Sequence, residues 1–397
     1  MKRRTRDEHL FGPGPKRILA LDGGGIRGVL TLEYLQYMED ILRRRAGDDP
    51  TFRLCDYFDL IGGTSTGSII AAGLALGFSV ERLRRLYRDL ASTVFQRPFY
   101  RLGFIASKFP RAPLERALRD QMGDVTVGSD AVRTGLMIMT KRLDTGSPWP
   151  IHNNPRGRYY ARRTGGTGLA NSEFLLRQVV RASTAAPHYF EPERLRVARA
   201  SVSPPAGRPA TGFIDGAFVD GGVSPFNNPA LQLLLLATLG GYGLRWPLGT
   251  DKLLLVSVGT GYRELRLTAD EVMEMPASVL ALRSLASLMS DCDWLGQTML
   301  QWLSSTPTPW LIDREIGDLR GDALNGRELL TYIRYNVMLD SAWLKQHLGL
   351  DVDERTAASL HAMDNPANVE QLVAIGAAAA RVQIKDEHFP ATFDPTE

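Results

Sequence analysis

The chain has 397 residues, 44% of them hydrophobic and 23% charged, with a formal net charge of +3. That composition belongs to a globular protein with material for a sizeable core and excludes a disordered or collagen-like chain. The charge is too small to imply nucleic acid, and Cys55 and Cys292 give neither a disulfide framework nor zinc-ligand spacing, which fits a reducing, cytoplasmic setting.

The basic start "MKRRTRDEHLFGPGPKR" runs into glycine-rich "ILALDGGG" rather than the apolar stretch of a secretory signal, so residues 1–14 are expected to form an N-terminal arm. Basic residues cluster at Lys2, Arg3, Arg4 and Arg6, at Arg43 to Arg45 and in "RLRRLYR" (82–88). They read as solvated faces or a tag, and alternatively as contacts to an anionic surface such as phospholipid.

"KRILALD" (16–22) is a short β-rich run ending at glycines, and "IRGVLTLEYLQYMEDILRRRA" after it has helical spacing. "YFDLIGG" is a second such strand, followed by "STGSIIAAGLALG", a helix of small residues. "SVERLRRLYRDLAS" adds a helix with Ser79 as its cap. Further strands are expected at "TGLMIMTKRL" (134–143), "GFIDGAFVD" (212–220) and "KLLLVSVGTG" (252–261), with helices at "SEFLLRQVVRAST" (172–184) and "NPALQLLLLATLGG" (228–241).

This alternation predicts an α/β fold, a mostly parallel sheet sandwiched by helices, over residues 15–261. "GSPWPIHNNPRG" (146–157) and "ARASVSPPAGRPATG" (198–212) read as surface excursions. From residue 262 to 397 helical periodicity takes over, as a helical C-terminal extension packed on that domain. The longest apolar run, "LQLLLLATL", is about half of what a spanning helix needs, so any membrane encounter is expected to be peripheral.

Three short segments carry chemistry. "DGGGIRG" (22–28) places G-x-G-x-x-G between a strand and a helix, where glycine N–H groups can hold a negative charge. A dinucleotide site would need an acidic residue roughly 20 residues on at a second strand's end. That neighbourhood is "RRRAGDDPTF", a helix end and a loop. "GTSTG" (63–67) has the form G-x-S-x-G, an elbow that pushes Ser65 out at the top of a sheet. The plainer reading is a tight turn with a capping serine.

A serine hydroxyl needs a base. His347, His361 and His388 follow Ser65 but lie in the helical tail, and His188 in "TAAPHYF" suits a packed or turn position. In "FVDGGVSPFNNP" (218–229), Asp220 ends a strand before two glycines, from where its carboxylate can reach Ser65 without an imidazole relay. Asp215 has similar surroundings but, five residues away in an extended run, faces the opposite way. Asp220 is preferred because ligands gather at the C-terminal ends of strands in open parallel sheets. Either aspartate is also explained as a turn residue. Asp291 and Asp293 beside Cys292 look exposed and make a weak metal site.

Taken in order, "DGGGIRG", "GTSTG" and "DGG" resemble the patatin-like phospholipases, from about Arg17 to about Gly261 and including "RASTAAPHYFEP" (181–192). The resemblance implies a lipid acyl hydrolase with a Ser–Asp dyad, without metal, nucleotide or other cofactor. Ser65 looks like the nucleophile and Asp220 the base. The N–H groups of Gly23, Gly24 and Gly25 look like the oxyanion hole, with Arg27 ordering that loop. Gly28, Gly63, Gly67, Gly221 and Gly222 look like supports of the three motifs. Membrane phospholipid is the implied substrate surface, and some bacterial members answer to cyclic nucleotide activators. "FQRPFYRLGFIASKF" (95–109) offers apolar side chains for an acyl trough or a lid. A short-chain esterase and a non-catalytic binder of an anionic ligand such as a nucleotide are the competing readings.

Overall fold

The computed structural model describes residues 3–94, 109–162, 168–199, 212–263 and 267–395. Among them the strands are β1 (Lys16–Leu21), β2 (Leu60–Thr64), β3 (Gly135–Arg142), β4 (Ser147–His152), β5 (Glu193–Arg199), β6 (Phe213–Asp220), β7 (Leu253–Val258) and β8 (Thr331–Tyr335). They form one sheet in the order β5-β6-β3-β2-β1-β7-β8, with β4 also on β3. The run β3-β2-β1-β7-β8 is parallel, whereas β4 and β6 are antiparallel to β3, and β5 is antiparallel to β6.

The period-two alternation of the central strands feeds two cores. Leu19, Leu21, Ile61, Leu254 and Val256 pack on one side, with the helices Gly28–Arg45, Thr66–Ala75 and Val369–Gln383. Ile18, Ala20, Leu60, Leu253 and Leu255 pack on the other, with the helix Ala230–Thr238. The result is the helix-covered, mostly parallel sheet expected. Ser79 caps its helix as anticipated, accepting from Arg82 N at 3.2 Å.

Three strands escaped the sequence pattern. β4 lies inside the segment expected to be a surface excursion. Its Pro148 and Pro150 are two residues apart, so both positions without an N–H face the same side, away from β3, where a strand edge tolerates them. β5 begins only one residue after "RASTAAPHYFEP". β8 sits within the C-terminal region and joins the sheet beside β7. That region is otherwise helical, with helices Ala277–Trp302, Ser341–Leu348, Glu354–Leu360 and Val369–Gln383.

Residues 1–14 are not a loose tag where described. Arg6–Phe11 is a helix started by a Thr5/Glu8 capping box. His9 and Leu10 are buried; His9 Nδ1 lies 2.9 Å from Asp59, and Trp246 Nε1 donates to the Leu10 carbonyl at 2.9 Å. The other basic clusters meet acids of this same chain: Arg84 with Glu33 (2.8 Å), Arg88 with Glu370 (3.5 Å) and Arg45 with Asp394 (2.6 Å). No helix among the described residues is long and apolar enough to cross a membrane. The segment expected to line an acyl trough lies outside the described residues but for Phe109.

Candidate active site

Three strand ends converge. Leu21, before the glycine loop, pairs with Gly63 on β2. Thr64 pairs with Met139, and the next residue of β3, Thr140, pairs with Asp220. Because β6 is antiparallel, Asp220 is not at the end of a parallel strand as expected. It comes level with Ser65 because β3 extends past β2 and pairs there with β6.

Ser65 occupies the turn between β2 and the helix Thr66–Ala75, at φ 52° and ψ −121°. A non-glycine residue there carries strain of about 1–3 kcal/mol, which its surroundings must offset. The flanking glycines allow it: a Cβ at Gly63 would run into the backbone of Gly67, and one at Gly67 into the carbonyls of Leu21 and Asp22. Ser65 N donates to Ser183 Oγ (2.9 Å), which donates to the Met139 carbonyl (2.6 Å). The Ser65 carbonyl takes Ser68 N (2.9 Å) and Ser68 Oγ (2.6 Å). Its hydroxyl does not cap the helix, so the plainer reading of this serine does not hold. The hydroxyl is instead among the groups that favour the ionised form of the Asp220 carboxylate.

Asp220 is 4% exposed. Burial pushes its carboxyl up to about 6, while the Ser65 hydroxyl, the Gly222 N–H (2.7 Å) and the charge of Arg181 pull the other way. A group poised there is ionised at neutral pH yet still basic enough to accept a proton. Gly221 is required for packing, since a Cβ would collide with the Met139 carbonyl. Asp215 lies on the solvent side, ion-paired with exposed Arg194 at 3.4 Å. The histidines are engaged elsewhere: His347 stacks on Trp343, His388 meets the Tyr335 hydroxyl at 2.8 Å, His361 meets Arg27, and exposed His188 packs edge-on to Tyr189.

The glycine loop is pinned by its carbonyls. Thr260 Oγ1 donates to Gly23 O (3.0 Å), Arg27 Nε to Gly24 O (3.4 Å) and Thr66 Oγ1 to Gly25 O (2.8 Å). In a trans peptide the next residue's N–H points opposite to the carbonyl, so these bonds fix where the N–H groups of Gly24 and Gly25 aim. Among the described residues neither has a protein acceptor, whereas Gly23 N donates to the Asn227 carbonyl at 3.2 Å. Gly28 packs on Thr66, and a Cβ at Gly222 would lie 3.0 Å from Asn227 Oδ1.

Several contributors had no sequence signal of their own. Ser183 and Arg181 sit in the quoted "RASTAAPHYFEP", but nothing in that string marks one as a support of Ser65 and the other as a charge near Asp220. Asp293, expected to be exposed, accepts from Asn228 N (3.3 Å) and Asn227 Nδ2 (3.4 Å), and burial together with the negative charge of Asp22 pushes it up to about 6. Among the described residues no group of three or more His, Cys, Asp or Glu side chains is arranged to hold a metal ion.

Fold and site together define an α/β protein with a strained serine elbow facing a buried carboxylate. The chain belongs to the patatin-like phospholipase family, whose model matches residues 19–234. It is 32% identical over 186 residues to a cGAMP-activated phospholipase of Vibrio cholerae serotype O1, covering 44% of this chain and 49% of that protein. A cGAMP-activated phospholipase of Escherichia coli is 32% identical over 180 residues, covering 44% and 48%. An intracellular phospholipase A2 of Caenorhabditis elegans is 29% identical over 285 residues, covering 69% of this chain and 22% of that protein. The matches thus span about half the length of the two bacterial relatives.

Proposed function

We propose that this protein is a serine lipid acyl hydrolase that cleaves ester-linked fatty acids from glycerophospholipids through Ser65 and Asp220. The observation that carries the reading is the Ser65 hydroxyl, free of any capping role, against a buried carboxylate raised to about 6. Family membership and the phospholipase names of the relatives support the substrate class.

Ser65 Oγ attacks the ester carbonyl while its proton passes to Asp220. The tetrahedral oxyanion accepts from the Gly24 and Gly25 N–H groups, with Gly23 joining once it releases Asn227. Losing one such donor typically raises the barrier by about 2.7–4 kcal/mol. Collapse expels the lysolipid alcohol, which takes the proton from Asp220 and leaves an acyl-enzyme. Water then attacks the acyl carbon, gives its proton to Asp220, and the proton returns to Ser65 as the fatty acid leaves.

The substrate on this reading lies in a membrane that the protein meets peripherally, in the cytoplasm. The names of the two bacterial relatives support a nucleotide activator for this chain as well, which assays with and without cGAMP test. A fluorophosphonate should label Ser65, and Ser65→Ala should abolish fatty-acid release from phosphatidylcholine vesicles. A short-chain esterase would cleave a nitrophenyl ester but spare the vesicles. A binding protein would neither label nor turn over.

A further inference from the structure

The glycine loop is held from the far end of the chain. Ile26 N donates to the Met363 carbonyl at 2.9 Å, and Arg27 Nη1 lies 3.2 Å from His361 Nδ1. Met363 also covers Gly25, with its Cβ 3.0 Å from where a side chain on Gly25 would begin. His361 and Met363 belong to the turn after the helix Glu354–Leu360. Asn368 closes that turn by donating from Nδ2 to the Ser359 carbonyl at 2.6 Å.

The charge states give the Arg27–His361 contact its direction. Burial pushes the Arg27 guanidinium down to about 10, so it keeps its proton at neutral pH. Burial and the positive charge of Arg27 push His361 down to about 4, so the imidazole is neutral. Arginine has only donors, and a neutral imidazole offers one lone pair. His361 therefore accepts at Nδ1 and carries its proton on Nε2. The same guanidinium donates through Nε to Gly24 O, the carbonyl of the peptide whose N–H belongs to Gly25.

We propose that His361 and Met363 are positioning residues for the oxyanion-binding amides: the imidazole acts through Arg27 on the Gly24–Gly25 peptide, and the Met363 carbonyl holds the next peptide, Gly25–Ile26, by its N–H. The proposal rests on the reading of that loop given above. It makes the C-terminal region part of the catalytic device, because a shift of the 361–363 turn moves the donors without touching Ser65 or Asp220.

The test uses the full chain as wild type, Ser65→Ala, His361→Ala and His361→Asn, with His347→Ala as control. His347 is exposed on another helix of the same region and stacks on Trp343. Turnover is counted per serine that a fluorophosphonate finally labels, so unfolded molecules do not register. His361→Ala should lower kcat at least about tenfold with KM within about twofold, since a misplacement of ~1 Å costs up to ~10²-fold. His361→Asn, whose Oδ1 takes the place of Nδ1, should restore most of the loss, and His347→Ala should match wild type. Wild-type kcat in His361→Ala, a loss confined to KM, or no rescue by asparagine would overturn the proposal. Failure of the underlying reading looks different and sinks both: wild type would not label at Ser65, or Ser65→Ala would hydrolyse the ester undiminished.

Discussion

Both oxygens of Asp22 accept from Arg334, Oδ1 from Nη1 at 3.0 Å and Oδ2 from Nη2 at 2.6 Å. Asp22 immediately precedes the glycine loop, and Arg334 lies on β8, so this pair ties the C-terminal strand to the head of the site. Arg334 also donates to Ser257 Oγ at 2.7 Å, and the nearby carboxylate holds its guanidinium above the ordinary value. Breaking a buried pair strands the other charge, at a cost of about 3–5 kcal/mol. Arg334→Met should lower the unfolding free energy in urea by about that much, and Asp22→Leu added to it should recover part of the loss. An effect of the single change below about 1 kcal/mol would show the pair to behave like an exposed one.

Gly24 faces Thr260. A Cβ at Gly24 would lie 2.5 Å from Thr260 Cβ and 2.8 Å from its Cγ2, forcing away the side chain that holds the Gly23 carbonyl. Gly24→Ala should reduce kcat by about 10²-fold or more, the scale of losing an oxyanion donor. Circular dichroism should report an intact fold. Near-normal turnover in that variant would remove the loop from the mechanism.

The two aspartates of β6 should separate cleanly. Asp220→Asn should abolish ester cleavage and Asp215→Asn should spare it, measured as fatty-acid release. Stability should move the other way. The folded-state carboxyl of Asp220 is raised from 3.8 to about 6, so its contribution is fully present below the unfolded value and is lost as pH rises through about 6. At about pH 8 Asp220→Asn should therefore be the more stable protein, by up to about 3 kcal/mol, and the gain should vanish near pH 4.

The pH profile follows from the same carboxyl. A protonated Asp220 cannot take the serine proton, so kcat/KM should fall on the acid side through a single group near pH 6. Asp293 is raised to a similar value but meets Asn227 and Asn228 rather than Ser65. Asp293→Asn should leave the position of that acid limb unchanged. A limb that moves with Asp293 would assign the titration to the wrong carboxylate.

Five of the strands and the helices between them were legible because strands buried on both faces are short apolar runs that stop at glycines or turns, while the helices repeat apolar residues at helical spacing. The serine elbow was legible because only glycines fit on either side of it. Strand parity left room for only one of Asp215 and Asp220 beside Ser65, and the preference for Asp220 came from its place at a strand end; the antiparallel β6, paired with the overhang of β3, was not in the pattern. β4 hid behind its prolines, which forbid a central strand but not an edge. Ser183, Arg334, His361 and Met363 were invisible for a common reason. Each reaches the site across a long stretch of chain through one or two hydrogen bonds, and such a contact leaves no periodicity around the residue that makes it.

The most direct test is to mix the protein with a phosphatidylcholine or nitrophenyl ester, quench in acid within a turnover, and find the modified residue by peptide mass. One fatty-acyl group should be found on Ser65, absent from Ser65→Ala and accumulating when water attack is slowed. Steady turnover with no acyl group on Ser65, or with the acyl group on another residue, would contradict it.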